Sequence, residues 1–240
     1  MISNDNNNNN NKSDHAGDWL HAMPISNCGL HLDDETTRIA VGLRLGAAIC
    51  HPHTCPCGGL VDALGHHCFV CRKSIGKQTR HSLFNDVIWR SFARAKIQAS
   101  KEPLGIFNDN KRPDGVTLVP WQRGKCVAWD VTVADTFAAS YIDSTAISAG
   151  AAAERAATLK TNKYQHLQNN YLFVPLACEV MGSWSIVSVE FLDNLSEKIT
   201  LVTGDTNEKS HLHQRISIAL QRGNAACVQC CFCNKDDLLE

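Results

Sequence analysis

Two carboxylates and two lysines in the middle of the chain are the residues best placed to do chemistry. Asp114 stands in Arg112-Pro113-Asp114-Gly115, at the head of a short apolar stretch, and Asp130 stands in Trp129-Asp130-Val131-Thr132-Val133, inside the next one. In neighbouring antiparallel strands the two acids converge at one end of a sheet. The two-residue period sets Asp130 and Thr132 on one face, with Val131 and Val133 on the other. An ionised carboxylate in a valine-rich strand is costly without a partner. Two facing carboxylates repel, and a divalent cation removes the repulsion; Mg2+ is typically held by one or two carboxylates together with phosphate oxygens and water. Such an ion polarises a phosphodiester and lowers the pKa of an attacking water. Lys160 and Lys163 lie in Lys-Thr-Asn-Lys-Tyr, one turn apart on a helix, and so share a face. An ammonium group aimed at a scissile phosphate stabilises developing charge or orients water. Each feature alone has an ordinary reading, the Asp after Pro as a turn cap and the helical lysines as a solvated face. Their order along the chain makes phosphodiester hydrolysis the sharper expectation.

A second constellation is built for a softer metal. Cys55, Cys57, His67 and Cys71 fall in one short loop, with Gly58 and Gly59 after the second cysteine. Thiolates and imidazole are the ligands that tetrahedral Zn2+ takes, and the glycines allow a tight knuckle. Binding worth roughly 10–16 kcal/mol in such sites can itself order the loop. His66, Cys68, His51, His53 and Cys50 are rival ligands, and reduced surface thiols are the plain alternative. Cys227, Cys230, Cys231 and Cys233 form another group, with His211 and His213 upstream. It has no glycine knuckle, so a frayed Cys-rich tail over 227–240 is expected rather than a second zinc site.

The elements that must position these groups are an α/β set with a mixed sheet. Apolar periodicity predicts a short amphipathic helix over 36–48 and a longer one over 80–99, on which Leu83, Val87, Ile88, Phe92 and Ala95 share a face. The Cys/His loop of 50–71 separates them. A turn cluster at 108–115 leads into strands at 116–119 and 126–133, joined as a hairpin by residues 120–125. An Ala-rich helix over 149–169 is expected to turn Leu159, Tyr164 and Leu167 inward. A buried strand follows at 171–180, then helices at 186–201 and 208–222. Asn6 to Asn11 offers nothing to bury, so residues 1–16 read as a disordered tail.

Composition narrows the function classes. With 44% apolar residues the chain can bury a core, and its 23 Lys and Arg against 24 Asp and Glu give a formal charge of −1. No apolar run is long enough to span a membrane, and the polar N-terminus does not resemble a signal peptide. The 12 cysteines therefore read as metal-bound thiolates of a reducing compartment. Net charge conceals an asymmetry. Between Arg72 and Pro103 lie Arg72, Lys73, Lys77, Arg80, Arg90, Arg94, Lys96 and Lys101, against Asp86 and Glu102 alone. That stretch reads as a nucleic-acid-binding surface or as a solvated helix face.

In combination these stretches resemble the C-terminal part of non-LTR retrotransposon proteins that carry a restriction-endonuclease-like nuclease. The resemblance runs over residues 17–226, through Arg44-Leu45-Gly46, Cys55-Pro-Cys-Gly, Gly65-His-His, Arg80-His81, Asn85-Asp86, Lys111-Arg-Pro-Asp-Gly115, Trp129-Asp-Val-Thr-Val133, Lys163-Tyr164 and Gln221-Arg-Gly-Asn-Ala225. It implies a helical linker at 17–49, a CCHC zinc knuckle at 50–79, a PD-(D/E)XK nuclease core at 80–205 and a C-terminal helix at 206–226. It further implies a nuclear Mg2+-dependent endonuclease that nicks target DNA to prime reverse transcription, with element RNA as a further partner. Asp114 and Asp130 become the magnesium ligands, and Asp86 or Glu102 a possible additional acid. Where the parent motif has Lys two residues after its second acid, this chain has Thr132; the resemblance moves the lysine to Lys160 or Lys163. The chain has no Tyr/Phe-x-Asp-Asp polymerase strand, and His31-Leu-Asp-Asp34 precedes a helix instead. A catalytically inactive nucleic-acid-binding remnant and a resolvase-type nuclease on the same fold are the competing expectations.

Overall fold

The computed structural model describes residues 15–104 and 112–232. The Asn tract, Cys233 and the first half of the 108–115 turn, Lys111 included, lie outside them. His15 and Ala16, expected in the disordered tail, are placed and packed.

Helix α1 spans Asp34–Leu45. It starts two residues before the predicted boundary because Asp33 caps it. The Asp33 carboxylate accepts from the Thr36 backbone N–H and the Thr36 hydroxyl, both at 2.8 Å, which pulls the pKa of Asp33 below its usual value. The first acid of the Asp33-Asp34 pair thus serves helix initiation. The expected Cys/His loop contains a small hairpin, β1 (His53–Thr54) with β2 (Leu60–Val61), and a short helix, α2 (His66–Val70).

Helix α3, Ile75–Arg94, begins five residues before the predicted start. It ends before residues 95–99, which periodicity reads as helix, and Ala99 instead opens strand β3, Ala99–Lys101. Strands β4 (Gly115–Thr117) and β5 (Cys126–Ala134) make the expected antiparallel hairpin, closed by a Gln122–Lys125 bridge. After a short helix α4 (Ile142–Ile147), which the sequence reading missed, helix α5 covers Ala151–Lys163. It buries Ala152, Ala153, Ala156 and Ala157, while Leu159 is exposed, contrary to expectation. Small side chains let α5 lie close to the sheet. Tyr164 and Leu167 are buried just beyond its end. Strand β6, Tyr171–Glu179, runs parallel to β5, and helices α6 (Ile186–Thr203) and α7 (Glu208–Gln229) complete the chain.

The sheet order is β3-β4-β5-β6, antiparallel except for the last pair. Pro175, which lacks an N–H, is tolerated in β6 because that strand is an edge. One face of β5 sends Val127, Trp129 and Val131 into a core with Phe84, Ile88 and Phe92 of α3 and the inner sides of α6 and α7. The other face carries Ala128, Asp130 and Ala134 towards α5 and Tyr164. The alternation read from Trp129-Asp-Val-Thr-Val is the one the sheet displays. Among the described residues the Cys-rich end is not frayed. Helix α7 runs through Cys227, and Cys227 and Cys231 are buried against Cys55, Cys68 and Cys71. No helix among the described residues is long and apolar enough to cross a membrane.

Candidate functional site

Asp114 and Asp130 line one open cleft of about 410 Å3, together with Lys77, His81, Thr132, Lys160 and Lys163. Register explains the convergence. Gly115 is paired with Trp129, so one step further along the hairpin Asp114 stands opposite Asp130. The Val131 N–H donates to Asp114 Oδ2 at 2.6 Å, tying the first acid to the strand of the second.

Close packing fixes this end of β4. A Cβ on Gly115 would lie 1.9 Å from Trp129 Cζ2, so only glycine lets the strand pass over the indole. The Trp129 Nε1–H donates to Asn85 Oδ1 at 2.8 Å, and Asn85 Nδ2 donates to the Asp114 carbonyl at 3.2 Å. The Glu102 N–H donates to the same carbonyl at 2.8 Å. From α5, the Tyr164 hydroxyl donates to the Arg112 carbonyl at 2.8 Å. Arg112-Pro113-Asp114 is thereby held from both layers of the fold.

The two lysines separate here. Lys160 Nζ donates to Asp130 Oδ1, whereas Lys163 Nζ donates to the Tyr164 hydroxyl at 2.9 Å. Lys160 is thus the amine in contact with an acid, and Lys163 supports the tyrosine. The orientation of α5 has its own anchor. Buried Glu179 at the end of β6 accepts from the Ala152 N–H at 2.9 Å and the Ala153 N–H at 3.4 Å, a negative charge on the helix N-terminus.

The additional acids do not join the cleft. Asp86 faces away from it, paired with Arg90 and Lys101, and Glu102 is exposed beside Arg112. Besides Lys77 and Arg80, α3 contributes His81, whose Nε2 lies 2.9 Å from Asp114 Oδ2. Hydrogen bonding to Asp114 raises the pKa of His81 against the opposing effect of its burial. His81, Asn85, Trp129 and Tyr164 were not singled out as site residues from sequence. The four-residue step from His81 to Asn85 on one helix face was the available signal.

The basic stretch does not form one surface. Arg72 and Lys73 are exposed near the knuckle, and Lys77 enters the carboxylate cleft. Arg80 is 4% exposed, and its guanidinium donates to Asn224 Oδ1 at 3.1 Å, so it joins α3 to α7 instead of facing solvent. Arg90 pairs with Asp86, and Arg94 with buried Glu208; both line a separate groove with Arg215 and Arg222. Lys96 is exposed at a third position, beyond the end of α3.

Cys55, Cys57, His67 and Cys71 form a Cys3His group able to bind a metal such as zinc, their ligand atoms all within 4.8 Å of one another. Cys57 Sγ is 3.1 Å from His67 Nε2, and Cys55 Sγ is 3.6 Å from Cys71 Sγ. The donors suit zinc in type and number. Gly59 is part of the fit: a Cβ there would meet the His67 ring at 2.4 Å. The Gly59 N–H donates to Cys57 Sγ and heads the causes that lower the Cys57 pKa to about 6, while burial pushes Cys55 up to about 12. A bound cation would hold every coordinating thiol deprotonated. The rival ligands lie elsewhere, His51 exposed and the others engaged. Cys50 Sγ faces the Asp62 carbonyl, His53 lies between the His51 and Cys231 carbonyls, and His66 pairs with Asp62. Cys68 is buried in the core behind the group. His213, read beside the C-terminal cysteines, packs instead against His15 and Asp193.

No protein-family model matches the chain, and a search of curated proteins returned no significant match.

Proposed function

We propose that the chain is a Mg2+-dependent DNA endonuclease with a restriction-endonuclease-like core, of the kind carried by non-LTR retrotransposon proteins. The observation that supports this reading is the meeting of Asp114, Asp130 and the Lys160 ammonium in one cleft. The succession of α3, the β3-β4-β5 antiparallel strands, α5 and parallel β6 is compatible with it.

Asp114 and Asp130 are the oxygen donors that would hold the ion. When bound, Mg2+ supplies a Lewis acid for the phosphodiester and a more acidic water. Lys160, released from Asp130, stabilises the charge that builds on the non-bridging phosphate oxygens. His81 keeps the Asp114 carboxylate oriented, and Asn85 with Tyr164 holds its backbone. Lys77, at the knuckle end of the cleft, meets a neighbouring backbone phosphate. Target DNA is the substrate; element RNA is a further partner, and the nucleus the expected place of work.

Nicking of supercoiled plasmid in Mg2+ tests the reading. Asp114→Ala and Asp130→Ala are expected to abolish nicking while DNA binding persists, and Lys160→Ala to lower the rate by roughly 10²–10³, as for removal of one charge-stabilising donor. Undiminished nicking in both aspartate variants would refute the assignment.

One observation favours a second reading, a zinc-stabilised nucleic-acid-binding remnant. Both acids already have partners, Asp130 in Lys160 and Asp114 in His81 and Val131, so the cleft is electrostatically satisfied with no cation. On that reading the wild type binds DNA, with a steep salt dependence of about −0.9 per phosphate neutralised, and does not cut it.

A further inference from the structure

The N-terminal segment meets helices α6 and α7 at a group of side chains that the nuclease reading leaves unused. His15 and His213 stack face to face, ring centroids 3.7 Å apart and planes 9° from parallel. Asp193 of α6 closes the group: its Oδ1 lies 3.2 Å from His213 Nε2. One nitrogen from each histidine and one oxygen of Asp193 fall within 4.8 Å of one another.

Four details fit a bound cation better than a packed core. His213 is 3% exposed, and its Nδ1 has no hydrogen-bond partner. A buried imidazole nitrogen without a partner is costly, so plain core packing is a poor account of this ring, whose Nε2 is the nitrogen turned towards Asp193 Oδ1. Asp18 engages His15 Nδ1 at 2.9 Å, which leaves Nε2 for coordination. That is the usual arrangement of a carboxylate behind a metal-bound histidine. Lys209 takes Asp193 Oδ2 at 2.8 Å, so Oδ1 is the oxygen turned towards the histidines. The residues come from three separate parts of the chain, and at 15% and 19% the His15 and Asp18 side chains keep enough exposure for an ion to enter.

We propose that His15, His213 and Asp193 form a second metal site, separate from the Cys3His group, that takes a divalent first-row cation of the zinc class. Two imidazoles and one carboxylate suit that class better than Mg2+ or Ca2+, which prefer all-oxygen sets. Three protein ligands leave at least one position for water. The site joins the segment before Trp19 to the last two helices. The neighbouring contacts lie along the same seam, with the Trp19 N–H donating to Ser217 Oγ at 3.2 Å and Trp19 buried against Ala40 and Ile218.

The test is metal content of the tag-free full chain, stripped with chelator, reloaded with Zn2+, freed of excess by gel filtration and measured by mass spectrometry. The His15→Ala variant is expected to hold one zinc fewer than wild type, and Cys55→Ser to lose its zinc from the other site. Loading with Co2+ separates the two sites spectroscopically. Thiolate-to-cobalt charge-transfer bands belong to the knuckle and should be unchanged in His15→Ala, while ligand-field bands weaken. His213→Asn repeats the comparison at the buried ligand. If that variant fails to fold, the less buried His15→Ala still decides. Equal zinc content in wild type and His15→Ala overturns the proposal.

Discussion

At the scale of single residues, the cleft is held by side chains whose work is to aim other groups. Asn85 is the clearest. Its amide links the Trp129 indole to the Asp114 carbonyl, and it is 1% exposed. Truncation to Ala leaves the buried Trp129 indole N–H without its partner, at a cost of about 1–3 kcal/mol, while the Asp114 carbonyl keeps the Glu102 N–H. Asn85→Ala is expected to cost mainly urea-unfolding stability with a moderate fall in nicking, whereas Lys160→Ala lowers nicking by the larger factor and also costs stability, because buried Asp130 loses its ammonium partner. A steady-state assay paired with a urea titration distinguishes them. The acids and lysines were legible in the sequence because motif spacing and alternation name residue types. Their supports were not, since Asn85 and Tyr164 read as ordinary helix residues until α3 and α5 are placed against the sheet. Asp86 was misassigned for a related reason. Charge alone cannot say which side of a helix faces a cleft, and His81 holds the side that does.

Among the elements, helix ends and strand crossings carry most of the positioning. Asp33 caps α1, and Asp33→Ala is expected to cost about 1 kcal/mol. Because its folded-state pKa lies below the usual 3.8, that stabilisation is present above pH 3.8 and disappears as pH falls through the lowered value. The wild-type and variant unfolding curves should therefore differ at neutral pH and converge in strong acid. Where β4 crosses Trp129, Gly115→Ala forces the strand off the indole and is expected to cost about 1–3 kcal/mol by overpacking. Because Asp114 is the adjacent residue, nicking should fall further than stability alone explains. The long periodic segments α3, α6 and α7 were readable as helices from sequence, since their apolar faces are extensive; α6 was bounded to within two residues, whereas α3 was displaced by five and α7 ended seven residues short. Strand β3 was not readable. Three residues are too few to show alternation, and its pairing is set by β4, distant in sequence.

For the molecule as a whole, α7 is the common support. It packs against α3 through Arg80 and Asn224, receives Trp19 from the N-terminal segment, and ends among the knuckle cysteines. The start of the expected tail is ordered instead; four nearby cysteines were judged by composition, which does not reveal that two of them, Cys227 and Cys231, face a core. Loss of the knuckle metal should be felt beyond the loop. For a chain of this size each kcal/mol lowers the melting temperature by roughly 2–4 °C. Cys71→Ser is expected to lower it by on the order of 10 °C, and to raise hydrogen exchange at the end of α7 as well as in α2. Calorimetry with exchange mass spectrometry checks both.

Phe69 of α2 sits in the wall of the carboxylate cleft, two residues from a knuckle ligand. Chelator inhibition is therefore an ambiguous assay for this protein. On the nuclease reading, EDTA would strip a soft metal from the Cys3His group as well as any hard cation, and Mg2+ added afterwards would restore nicking only where that group is intact. Order-of-addition experiments, with zinc returned before magnesium, are what separate a lost cofactor from a collapsed wall.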